Sequence, residues 1–79
     1  MQIAIHGSDY TRARECVQWL IKNIGPALPG THGTVMRGEG WLVNVVLGVE
    51  HHSPHTIKIE LNPYHVDQQD IMLFMLKWA

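Results

Sequence analysis

The chain reads as an α+β domain, in the order β-α-β-β-β-α, with two helices packed on one face of a mostly antiparallel four-stranded sheet. Two observations predict it. Apolar residues at Ala13, Cys16, Val17, Leu20, Ile21 and Ile24 recur at helical spacing, and Gly25-Pro26 then ends the helix. Beyond it, two runs of alternating or β-branched residues stand either side of a Gly-Glu-Gly turn, and a third follows a Ser-Pro turn. A second apolar helical run then follows, so each apolar stripe has a partner across one sheet.

The elements follow in order. "QIAIHG" (2–7) alternates, with Ile3 and Ile5 on one side, and reads as a short strand. Ser8 or Asp9 then caps the first helix. The stretch 26–33 holds two prolines and two glycines and reads as a loop. Thr34–Arg37 and Trp41–Leu47 form the arms of a hairpin, with Gly38-Glu39-Gly40 supplying positive-φ positions for a three-residue turn. "HTIKIEL" (55–61) makes a third arm, with Ile57, Ile59 and Leu61 facing inward. Asn62 or Asp67 caps the final helix, which carries six consecutive apolar residues from Ile71 to Leu76.

Composition limits the function. The 79 residues fit one domain, residues 1–79, near the lower size at which a single core holds. Charged residues are 16% of the chain, against about 25% in an ordinary domain, which leaves a surface suited to association. The net charge of −1 argues against a dedicated nucleic-acid binder. A single cysteine, Cys16, excludes an intramolecular disulfide and a Cys-rich zinc framework. The start shows no basic segment followed by a long apolar core, and the longest apolar run is too short to span a bilayer. A soluble, cytoplasmic protein is expected, with no membrane partner and no cofactor.

"EHHSPH" (50–55) is the most chemical stretch. Glu50, His51, His52 and His55 are donors of the kind a zinc or nickel ion takes. Consecutive His51 and His52 would point to opposite faces of a strand, however. His52 and His55, bent round Ser53-Pro54, could supply two ligands, with the third coming from His65, His32 or Glu50. The preferred expectation is a solvated turn and no metal. Gly40-Trp41 and His51-His52, set in a helix–three strands–helix order, are also loosely similar to double-stranded-RNA-binding-like domains and HicA-type toxin ribonucleases. That resemblance implies an RNA-acting alternative. The acidic opening of the final helix, "HVDQQD", is unlike an RNA-binding helix.

Two surfaces suit partner binding. Arg12, Glu15, Trp19, Lys22 and Asn23 form a second stripe on the first helix, and Trp and Arg are common interface anchors. Trp19 has a competing reading, tucked over the helix end or under the following loop. The final helix is apolar almost all round, whereas a helix on a sheet buries one face. Either it fills the core or its surplus meets another molecule; self-association through Phe74, Met75 and Trp78 is the preferred expectation.

"HGTVMRGEGWLVNVV" (32–46) resembles the central hairpin of a small phage-encoded anti-CRISPR protein, one of the inhibitors of type I CRISPR-Cas complexes. The likeness covers fifteen residues and is tightest over His32–Arg37. It implies a non-enzymatic viral protein that evades host defence by binding a type I Cas effector or subunit in the host cytoplasm, with Arg37 at the contact. That relative is more basic and lacks the apolar final helix. Occlusion of a protein surface, rather than competition with DNA through basic residues, therefore suits this chain.

Overall fold

The structure, a computed structural model, describes residues 2–30, 35–46, 48 and 55–79. The elements run β1 (Gln2–His6), α1 (Tyr10–Asn23), β2 (Val35–Gly38), β3 (Trp41–Val46), β4 (Thr56–Leu61) and α2 (Gln68–Trp78). The expected order and class are what is observed. The strands lie in the order β1-β4-β3-β2, and all three pairings are antiparallel. β2, β3 and β4 form a meander, and β1 adds to its far side against β4. α1 therefore carries the chain from one edge of the sheet to the other.

Register and the period-two alternation of side chains decide which face is buried. Ile3 sits opposite Ile59, Ile5 opposite Ile57, Val43 opposite Ile59 and Trp41 opposite Leu61. All of these are buried, in one cluster with Ala13, Cys16 and Leu20 of α1 and Ile71, Phe74 and Trp78 of α2. Both helices thus cover the same face. The other face carries Gln2, Ala4, Arg37, Leu42, Asn44, Lys58 and Glu60, which are exposed or half-buried.

The β2–β3 turn differs from the expectation. Gly38 pairs with Trp41, so the connection is two residues, Glu39-Gly40, and only Gly40 of the two expected glycines has a positive φ, +86°. Gly38 serves a different need. The Trp41 indole lies where a Cβ on Gly38 would be, so no other residue fits there without moving the ring. Trp41 Nε1 in turn donates to the Gly25 carbonyl at 2.9 Å, which ties the exit of α1 to the hairpin.

The segment after α1 is more than a connector. Leu28 N donates to Arg37 O and Glu39 N donates to Pro26 O, both at 2.9 Å, around an antiparallel bridge between Ala27 and Gly38. The hairpin end of the β2 edge is therefore paired, which removes part of an exposed sheet edge. Asp9 is the N-cap residue of α1, with no side-chain capping bond. Of the two candidate caps for α2, Asp67 holds the position and accepts from Gln69 N at 3.3 Å.

Candidate interaction surfaces

The stripe expected to face a partner on α1 is in large part the seam between the helices. Arg12 and Trp19, seven apart, lie on one side of α1, and that side meets α2. The Arg12 guanidinium sits 5.3 Å from the centre of the Trp78 ring, and its Nη2 donates to the Trp78 carbonyl at 3.0 Å. Trp19 packs on Phe74, with ring centroids 6.2 Å apart and planes tilted by 38°. Both side chains are half-buried. Glu15 and Lys22 lie further round and are exposed, and Arg37 is exposed on the open face of the sheet.

On α2 the expected self-association residues turn out to face inward. Phe74 is fully buried, Trp78 is buried and Met75 is half-buried. Together with Ile71, Phe74 and Trp78 stand at i, i+3 and i+7, and that stripe lies on the core. A helix turns about 100° per residue, so Leu76 points roughly 200° away from Phe74. The apolar surplus of α2 is accordingly Met72, Leu73 and Leu76, which are 59%, 52% and 82% exposed. These three form a ridge directed away from the core. The run of six apolar residues signalled the surplus; its phase needed to be anchored on Phe74 and Trp78.

The two candidate ligands among the described residues, His55 and His65, do not converge. His55 is exposed just before β4, where its carbonyl accepts from Gly7 N at 2.7 Å. His65 follows the other end of that strand and lies 3.9 Å from Glu39, both exposed. Six strand residues at about 3.3 Å each separate the two by roughly 20 Å, so they cannot share one ion. His51, His52 and His32 lie outside the described residues. Among the described residues, no three His, Cys, Asp or Glu side chains gather where they could hold a metal.

Cys16 is buried, and that burial pushes its thiol up to about 12, the nearby Arg12 charge acting in the opposite direction. Such a thiol is neutral near pH 7 and a poor nucleophile. His6 Nδ1 lies 2.6 Å from Ser8 Oγ, and Ser8 N donates to the same nitrogen at 3.2 Å, a local exposed turn in which the imidazole is satisfied by its neighbour. Sequence reading passed over Tyr64, which is 98% exposed in the turn between β4 and α2. No helix among the described residues is long and apolar enough to cross a membrane.

The chain matches no protein-family model, and no curated protein or solved structure matches it significantly.

Proposed function

We propose that this protein acts by stoichiometric contact with other protein surfaces and performs no chemistry of its own. The observation that carries this reading is the ridge of Met72, Leu73 and Leu76. An outward apolar stripe on a helix whose other face already fills the core contributes little to folding, and apolar stripes rimmed by polar residues are the usual anchors of protein contacts. Methionine and leucine also suit such a surface, because their flexible side chains adapt to a partner.

In its finer form the proposal is an anti-CRISPR protein that binds a type I CRISPR-Cas effector or subunit in the host cytoplasm and occludes a protein surface. Its support is the likeness of residues 32–46 to the hairpin of such an inhibitor, together with the low charge. Glu15 and Lys22 on the solvent side of α1 and Arg37 on the sheet are the polar candidates for the target contact.

The test uses a purified type I complex and the intact chain. Co-elution at fixed stoichiometry, weakened about tenfold by Lys22→Glu or Arg37→Glu, is the expected result. A complex that never retains the protein removes the CRISPR reading. Cleavage of RNA by the purified protein would replace the binding reading with the enzymatic one.

A further inference from the structure

We infer that the apolar ridge of α2 is closed by a second copy of this chain, its α2 packed antiparallel across a two-fold axis. This rests on the reading of the ridge as a protein-contact surface and names what occupies it.

The argument is the self-complementarity of one stripe. Asp70, Leu73 and Lys77 stand at i, i+3 and i+7, so they share a flank of α2 that adjoins Met72 and Leu76. Asp70 sits in the first turn and Lys77 in the last, and the midpoint between them falls at Leu73 and Phe74. A two-fold axis perpendicular to the helix at that midpoint reverses its direction and keeps the flank. Asp70 then meets Lys77 of the second copy, Lys77 meets its Asp70, and the two Leu73 side chains meet between them. Met72 and Leu76 cover one another on the adjoining flank.

Three further points favour a second copy over a different protein. Antiparallel α2 helices bring opposite ends of their dipoles together. Neither Asp70 nor Lys77 has an ion-pair partner within its own chain among the described residues, although Lys77 Nζ lies over the Trp78 ring at 5.7 Å. Isologous contact also needs one self-complementary patch, the commonest solution for small proteins, and this stripe is one. A parallel arrangement would set Asp70 against Asp70 and Lys77 against Lys77, and is disfavoured for that reason.

The contact is small. α2 has eleven residues, about 16 Å of helix, and one helix pair buries well under the roughly 800 Å² per partner of a standard stable interface. The dimer is therefore weak and concentration-dependent, with monomer dominant near about 10 μM and dimer dominant towards about 1 mM.

Sedimentation velocity on the full chain across that range tests the inference. Leu76→Glu should weaken dimerisation at least about tenfold, and Asp70→Lys or Lys77→Asp alone by about three- to tenfold. Asp70→Lys combined with Lys77→Asp in one chain should restore it, and the two single variants mixed should pair with each other in preference to themselves. Circular dichroism and urea unfolding establish that each variant is folded. A monomer throughout the range overturns the inference, as does a dimer indifferent to Leu76→Glu. A dimer weakened by each single charge change but not restored by the double change overturns the antiparallel register. Should the wild type stay monomeric while Leu76→Glu loses its hold on the purified Cas complex, the ridge seats the target; the contact reading then survives and the second copy does not.

Discussion

Arg12 and Trp78 are sixty-six positions apart, and one side chain joins the first turn of α1 to the last turn of α2. The guanidinium lies over the indole, 5.3 Å from its centre, while its Nη2 donates to the carbonyl of the same residue. The cation thus satisfies an orphan carbonyl at the C-terminal end of a helix, where the dipole also favours positive charge. Trp78 carries the core end of α2, so this contact sets how the second helix lies against the first. With Trp19 on Phe74, it makes the inter-helix seam half polar and half aromatic.

Replacing Arg12 should therefore cost stability. Arg12→Ala removes a charge-assisted hydrogen bond and a cation–π contact in a half-buried setting, and a loss of about 1–2 kcal/mol is expected in urea unfolding. Arg12→Lys should recover less than half of it, since a compact ammonium cannot lie over the ring and reach the carbonyl at once as the forked guanidinium does. Equal stability of wild type and Arg12→Ala would show that the seam is held by Trp19 and Phe74 alone.

Gly38 and Trp41 make a second pair whose substitution has a stated direction. Gly38→Ala places a methyl where the indole lies, and overpacking of this kind costs about 1–3 kcal/mol. Trp41→Phe frees the space but loses the bond from Nε1 to the Gly25 carbonyl. The combination Gly38→Ala with Trp41→Phe should be less damaging than the sum of the two changes. A double-mutant cycle by thermal unfolding reads the coupling, and strict additivity would refute the packing argument.

Cys16 carries a linkage prediction. Its thiol is raised in the fold from 9.0 to about 12, with burial as the main cause. The folded chain keeps a proton that the unfolded chain releases above pH 9, so this contribution is whole below about 9 and is lost as the pH rises towards about 12. In native protein the thiol should react with a disulfide reagent only as fast as the fold opens. Rapid labelling at pH 8 in the absence of denaturant would contradict the burial.

Asp67 caps α2 through Gln69 N, and Asp67→Ala should lower stability by about 1 kcal/mol, with Asp67→Asn close to wild type. The exposed pair of Glu39 and His65, at 3.9 Å, predicts the opposite scale of effect. Glu39→Ala should shift stability by less than about 0.5 kcal/mol, as surface ion pairs usually do. Both are read from the midpoint of urea unfolding.

Periodicity along the chain was enough for the element order, the class and most of the core. Ile3 and Ile5, Ile57 with Ile59 and Leu61, and Ala13 with Cys16 and Leu20 declare their faces by spacing alone, because period and burial are local properties of a strand or helix. What surrounds each face is not local. Arg12 and Trp19 form an outward stripe on an isolated helix, and only the arrival of α2 turns that stripe into a seam. Phe74 and Leu76 are equally apolar in a run of six, and only docking on the sheet decides which of them is core and which is ridge. Gly38 reads along the chain as a turn glycine but ends β2 instead, and its task, making room for an indole that reaches back to Gly25, depends on three segments meeting. His55 and His65 are close in sequence and far apart in space because an extended strand separates them. Spacing along the chain determines the elements of this protein; the contacts between distant segments, which no spacing encodes, decide which surfaces remain for a partner.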